Sequence, residues 1–415
     1  MSRAIVIGAG LGGLASAIRL ARQGLDTTLI SQGLGGLQLS QGTIDILGYD
    51  PEPVTDPLAA AGRLAPPHPY AVIGSAPVAA GVDWLSQLLG PELLVGQTSA
   101  NTWLPTAVGA LRPTALVQPS MVAGAVQAEA AWAIVGLSRL KDFSAALVAG
   151  NLNRTELPGG GRLRCRPLVI DLMARAGEAD SSGLVFARAL DRPEVQDRLI
   201  AALGPELAEG ESVGLPAVLG LEDLTVYDRL AQALGRPVFE IPLPPPSVPG
   251  LRLNQALLAL AKAAGVRFVN GAAVVGFEAA ADRVTAVMTA AAGHPRSYPG
   301  EVFVYAPGGF ESGALAMDSY YQVKETVFDL PLHGLDDVEQ LITGDYAAPQ
   351  AIFAVGLGVD AAMRPVDLSG NVVYENLHAV GSILAGAIPW HEKSGEGIAL
   401  GSAWAATQAI QEELK

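Results

Sequence analysis

The run Arg3-Ala-Ile-Val-Ile7, followed by Gly8-Ala-Gly-Leu-Gly-Gly-Leu14 and then by ASAIRLARQG to Gly24, decides the fold. The first five residues are rich in β-branched side chains and predict a strand. Leu14 to Gly24 repeats its apolar residues at helical spacing, and Thr27-Thr-Leu-Ile-Ser31 predicts a second strand. Gly8-x-Gly10-x-x-Gly13 therefore stands directly after a strand and opens a helix, the position of a dinucleotide fingerprint. The first glycine permits a tight turn, the second lets the backbone approach phosphate, and the third lets the helix pack on the strand. The free N–H groups of the helix start, Leu11 and Gly12 among them, face the anion. Arg3 and Ala15-Ser16-Ala17 imitate a signal peptide, but the glycines give this segment a different explanation.

Further flavin-binding residues are expected outward from this turn. An acidic residue that would hold an adenosine ribose is missing at the end of the second strand, where the chain has Ser31 and Gln32. NAD loses support, and FMN and FAD both stay open. Ser40-Gln41-Gly42-Thr43 supplies hydroxyl and amide groups suited to a flavin phosphate and pyrimidine edge, and Val274, in the strand AAVVGFE, is placed at the cofactor. Tyr305-Ala-Pro307-Gly308-Gly309-Phe310 resembles the Ala-Thr-Gly-Gly strand end of fumarate-reductase-like flavoproteins, with Pro307 at the Thr position. Gly381 and Ser382 take the place of ribityl contacts. Gly395-Glu396-Gly397 opens a last helix whose positive end would stabilise charge at flavin N1/O2.

The order of these pieces predicts an α/β protein, a discontinuous Rossmann-like FAD/NAD(P)-binding flavoprotein fold with an inserted α/β domain. Residues 1–130 form the first part of the flavin-binding domain and 131–240 the insertion. The flavin-binding domain resumes over 241–310, with a helix LRLNQALLALAKAAG followed by strands at VRFVNG, AAVVGFE and RVTAVMT. A strand-rich cap segment covers 311–370, and 371–415 closes the flavin-binding domain.

Composition narrows the function. The 415 residues carry 26 basic and 41 acidic side chains, a net charge of −15, with half of all residues hydrophobic and 16% charged. A globular protein is expected rather than a disordered one. Without a basic cluster, nucleic acid and anionic lipid are poor partners. The single cysteine, Cys165, excludes disulfides and cysteine-ligated clusters within this sequence, and no metal site is expected. No run reaches the length of an apolar membrane span.

Several stretches match something narrower than a flavoprotein. IGAGLGGL at 7–14, SQGTIDILG at 40–48, HPY at 68–70, GLSRLKDF at 136–143, LPPPSVPGLRL at 243–253, MRP at 363–365 and ENLHAVGSILAG at 375–386 resemble the B subunit of bacterial anaerobic glycerol-3-phosphate dehydrogenase, nearly end to end. The resemblance implies oxidation of sn-glycerol 3-phosphate to dihydroxyacetone phosphate, with electrons passed to a quinone. It also implies an FMN-bearing chain beside an FAD-bearing catalytic A subunit and an iron–sulfur C subunit, cytoplasmic and peripheral on the inner membrane through the complex. One departure stands out. Where that family has a glycine- and cysteine-rich run, this sequence has Ala387-Ile-Pro-Trp-His-Glu-Lys-Ser394.

If the chain oxidises its own substrate, a base must take the C2 hydroxyl proton. His391, with Glu392 beside it, is the candidate by residue type and position. Arg252, Lys324, Arg364 and Lys393 are the candidate cations for the substrate phosphate, and His68 reads as a structural residue in a turn. Two alternatives remain: an electron-transfer and docking flavin subunit without substrate chemistry of its own, and a different, fumarate-reductase-like or ketosteroid-dehydrogenase-like flavin oxidoreductase.

Overall fold

A computed structural model describes residues 2–290, 294–335, 340–345 and 348–414. Its principal elements, in chain order, are β1 (Arg3–Ile7), α1 (Leu11–Arg22), β2 (Asp26–Ser31), α2 (Ser75–Leu89), β3 (Ala131–Leu137), β4 (Arg164–Ile170), β5 (Ser212–Pro216), β6 (Val238–Ile241), α3 (Val248–Ala263), β7 (Arg267–Asn270), β8 (Val274–Ala280), β9 (Arg283–Thr289), β10 (Arg296–Pro299), β11 (Val302–Tyr305), β12 (Leu377–Ala379) and α4 (Gly395–Glu413).

The main sheet is parallel, in the order β7-β2-β1-β11-β12. Strands buried on both faces read as continuous apolar runs, and Val302–Tyr305 is buried at all four positions. Helices α1, α2 and α4 pack together beside this sheet. Arg19 of α1 joins them, its guanidinium lying over the rings of Trp404 and Trp84 while Nε donates to Thr407 Oγ1 at 2.7 Å.

A second parallel sheet, in the order β4-β3-β5-β6, has its own core, with the Trp132 and Phe239 rings 4.7 Å apart. It returns to the main body through α3. There Arg252 is buried in a two-point pair with Glu240 of β6, at 2.6 and 3.0 Å, and its other N–H groups reach Gly220 O and Gln118 Oε1.

Two sequence expectations change. VRFVNG does not pair with AAVVGFE and RVTAVMT, the strands expected after it, but is the outer strand of the main sheet, pairing in parallel with β2. The antiparallel meander is β8-β9-β10, and its third strand has no counterpart among the strands expected from the sequence. The 311–370 segment, expected to be strand-rich, contains in its described parts one short hairpin, Leu315–Met317 with Val323–Glu325, and scattered bridges. Its Asp- and Gly-rich turns favour local side chain to backbone bonds over ladders. Asp318, Asp360 and Asp367 each accept such bonds.

Candidate functional site

The carboxyl ends of β1, β11 and β12 lie side by side at one edge of the sheet, where open α/β folds bind ligands in a crevice. Gly8 N–H donates to Ile30 O at 2.8 Å, Ala306 N–H to Ile7 O at 2.9 Å, and Val380 N–H to Tyr305 O at 2.9 Å. Gly8 has φ +104°, and a Cβ there would stand 2.1 Å from Ala306 O; at Gly13 it would stand 2.0 Å from Gly8 O. Neither position tolerates another residue. At Gly10, by contrast, open space lies where a Cβ would be, so the second glycine keeps a vacant volume over the start of α1. Gly10 caps that helix without a side-chain bond, and the first intrahelical bond runs from Leu14 N–H to Gly10 O. The N–H groups of Leu11, Gly12 and Gly13 are left without an intrahelical partner, the arrangement by which a helix start holds an anion.

The other expected flavin residues gather around this vacancy. Gly12 lies against Val380 and Ala399 of α4, and Gly309 against Ser382 O. Gly8, Pro307 and Gly308 are partly exposed and Ser382 is exposed, so the crevice is open on that side. At its far end Ala272 N–H donates to Ser31 O at 3.1 Å, bringing the strand of Val274 to the end of β2. The Ser31 hydroxyl bonds within its own turn to Gly33, and Gln32 is exposed. The fingerprint side thus fits a dinucleotide: a bare helix start, an open volume and a rim of small residues.

The other end of the crevice differs from expectation. Ser40 Oγ accepts from Gly42 N–H, and Gly42 lies tightly against Pro249 and Gln118. Gln41 and Thr43 both accept hydrogen bonds from Arg112. Gly397 N–H donates to Asp45 O at 2.9 Å, which removes it from the donors expected to face a flavin. A Cβ at Gly397 would stand 2.2 Å from the Tyr70 hydroxyl, so this glycine serves close packing.

The residue at the centre was not among the sequence candidates. Arg112, in the strand Leu111–Thr114, pairs through Nη2 with Asp45 Oδ1 at 2.7 Å, and both side chains are 8% exposed. Thr114 and Thr43 hydroxyls donate to the same oxygen at 2.6 and 3.1 Å. Glu396, second residue of α4, stands beside them; burial and the Asp45 carboxylate, opposed by Arg112, push its carboxyl up to about 8. Lys393 completes the group, its ammonium pKa lowered by burial and by Arg112. An arginine between Leu111 and Pro113 in a mostly apolar run is the one signal in the sequence that could have marked it for burial.

The predicted catalytic pair is not brought to this cluster. His391 is exposed, its ring set edge-on to Trp390. Although burial pushes the Glu392 carboxyl up, hydrogen bonds from His68, Ile388 N–H and Ser394 together hold it below the usual carboxylate range. His68 Nδ1 accepts from Tyr70 N–H at 3.1 Å, which assigns the proton to Nε2, and Nε2 donates to Glu392 Oε2 at 3.0 Å. Glu392 is a clasp for the 387–394 loop and His68 the structural turn residue expected.

Three candidate phosphate cations also lie elsewhere. Arg252 has its guanidinium consumed by Glu240, Gly220 and Gln118. Arg364 pairs with Asp360 and Glu375 and lines a cavity with Glu413, near the opposite end of α4, about 25 Å from Gly395 at 1.5 Å per residue. Lys324 is exposed on the short hairpin. Only Lys393 reaches the cluster.

Residues 3–398 match the FAD binding domain family. Of the two flavins left open by the sequence, this supports FAD. The chain is 34% identical to a probable anaerobic glycerol-3-phosphate dehydrogenase B subunit of Halobacterium salinarum, over 100% of this chain and 98% of that one. It is 32% identical to the Pectobacterium atrosepticum B subunit, over 99% and 98%, and 30% identical to that of Yersinia pestis, over 98% of both. Among solved structures it is similar to a 3-ketosteroid Δ1-dehydrogenase from Sterolibacterium denitrificans, at 12% identity and TM-score 0.45 with both chains fully covered. It is also similar to a flavocytochrome c3 fumarate reductase, at 9% identity and TM-score 0.42, covering 99% of this chain and 78% of that one. With an FAD binding domain across nearly its whole length and full-length identities of 30–34%, the chain belongs to the family of anaerobic glycerol-3-phosphate dehydrogenase B subunits.

Proposed function

We propose that this chain is the flavoprotein subunit of a glycerol-3-phosphate:quinone oxidoreductase, converting sn-glycerol 3-phosphate and quinone to dihydroxyacetone phosphate and quinol. The observation that carries it is the vacancy over Gly10 at the uncapped start of α1, in a chain whose relatives bear that enzyme's name. The pyrophosphate of FAD would be held by the N–H groups of Leu11, Gly12 and Gly13, beside Gly8 and Pro307–Gly308. Gly381–Ser382 would take the ribityl chain, and Ser31, Gln32 and Val274 the adenosine end. FAD, when bound, supplies a two-electron acceptor for oxidation of a secondary alcohol.

The protein's own groups do the rest. The Glu392–His68 clasp fixes the 387–394 loop over the ring end, and the Arg112 cluster brings positive charge into a crevice of a chain whose net charge is −15. Flavin-bearing residues 1–130, 241–310 and 371–415 form one working unit around the inserted 131–240 domain. Among the described residues no helix is long and apolar enough to cross a membrane, and the single cysteine cannot ligate a cluster. Electrons therefore leave through partners: an FAD-bearing catalytic A subunit and an iron–sulfur C subunit, which also bring this chain to the membrane.

The test is direct. Purified protein is expected to be yellow, to release FAD identifiable by mass spectrometry, and to bleach anaerobically with glycerol 3-phosphate. A colourless protein that takes up no flavin overturns the proposal. Bleaching only after the partner is added moves the substrate chemistry to that partner and leaves electron transfer here.

A further inference from the structure

The cluster around Arg112 is not needed to hold a dinucleotide, and its chemistry is that of an anion site. Arg112 donates to Gln41, Thr43 and Asp45, which leaves two of its five N–H groups without a partner among the described residues. Lys393 is held by a left-handed backbone, φ 56°, and spends one ammonium N–H on Trp390 O at 2.8 Å. Burial and the like charge of Arg112 lower the Lys393 ammonium pKa, and Asp45 offsets them only in part, so a further anion beside the two cations would be favourable. The cluster stands at the first turn of α4, one turn from Ala399, which touches Gly12 of the fingerprint.

We propose that Arg112 and Lys393 form a phosphate-binding pair at the ring end of the flavin crevice, taking the phosphoryl group of a phosphomonoester substrate. This rests on the oxidoreductase reading above and names the residues that would select its substrate. The surrounding acids are arranged to admit such a group. Asp45 already has three donors on one oxygen. Glu396, pushed up to about 8 by burial and by Asp45, is uncharged at neutral pH and does not repel a dianion. Glu392, next to Lys393, keeps its carboxylate on His68, Ile388 N–H and Ser394. The other titratable groups facing the cluster are Tyr49, from the segment that carries Asp45, and Tyr70, from the helix Tyr70–Ile73. Burial raises the pKa of both, so they stay neutral as well. Raising the pH ionises Glu396 and discharges Lys393, and both changes weaken the hold on an anion.

The FAD-loaded full-length protein is titrated calorimetrically with inorganic phosphate, sn-glycerol 3-phosphate and glycerol. Both phosphates are expected to bind and glycerol not, with affinity falling as pH rises past about 8. Lys393→Gln should raise both phosphate dissociation constants about tenfold, the loss of one charge-assisted hydrogen bond. The paired Arg112→Gln/Asp45→Asn variant, which leaves no lone buried charge, should raise them about tenfold or more on the same ground, with FAD content unchanged by absorbance. Unaltered phosphate affinity in the paired variant, or glycerol binding as tightly as glycerol 3-phosphate, overturns the pair while leaving the oxidoreductase reading intact. Failure of that reading shows instead as missing flavin.

Discussion

The molecule buries two arginines against carboxylates, and they differ in one respect. Arg252 meets Glu240 at two points and gives its remaining N–H groups to Gly220 and Gln118, with 3% and 0% of the two side chains exposed. Arg112 meets Asp45 through Nη2 alone, shares that nitrogen with Thr43, and retains unspent donors. A saturated guanidinium has nothing to offer a ligand, so its work is structural. An unsaturated one, at the edge of an open crevice, is where binding is to be sought. Residue type alone cannot make this distinction, which is why Arg252 was a reasonable candidate in the sequence and Arg112 was not.

The contrast can be broken most forcefully at the saturated pair. Arg252→Met should cost about 3–5 kcal/mol, because buried Glu240 loses both contacts to its cation and keeps only the Ser120 and Leu219 donors. Its denaturant midpoint should fall accordingly, while phosphate affinity of the folded fraction is unchanged. Arg112→Gln should cost less, about 1–3 kcal/mol, since Asp45 loses a single guanidinium contact and keeps the Thr43 and Thr114 donors. Its main effect should be on phosphate affinity. If the two variants lose stability equally and neither loses affinity, the distinction between them fails.

Glu396→Gln sharpens the comparison through pH. The folded carboxyl titrates at about 8, against about 4.3 in an unfolded chain. Its contribution to stability is therefore complete below the unfolded value and is lost as pH rises through the folded one. Thermal midpoints of the native chain should decline across that window, and the glutamine variant should flatten the decline. The smallest effect is expected at His391→Ala, within about 0.5 kcal/mol for an exposed side chain, with flavin bleaching unaltered. A large loss of bleaching there would restore His391 as the proton acceptor.

What was legible in the sequence was what the backbone does. Gly8, Gly10 and Gly13 announced a turn because only absent side chains permit it, and their order relative to Tyr305–Gly309 and Gly381–Ser382 foretold which strand ends would meet. What was illegible depended on side chains distant in sequence. Arg112 finds Asp45 across 67 residues and Glu392 finds His68 across 324, and no local pattern marks either pairing. Glu396 read as a helix opener because its environment is supplied by segments at 45 and 112. VRFVNG looked like its antiparallel neighbours because a short strand carries no sign of which sheet it will join.

The joint at Arg252 has a mechanical consequence. Gln118, which accepts from Arg252, also donates to Gly42 O at 3.1 Å and Pro249 O at 2.8 Å. The inserted sheet, the helix that returns from it and the segment beneath the ring end are thus bolted at one dry point. Guests cannot be let in by swinging that sheet aside, since the bolt would have to shear first. The doorway belongs on the opposite flank, where Pro307, Gly308 and Ser382 already meet water.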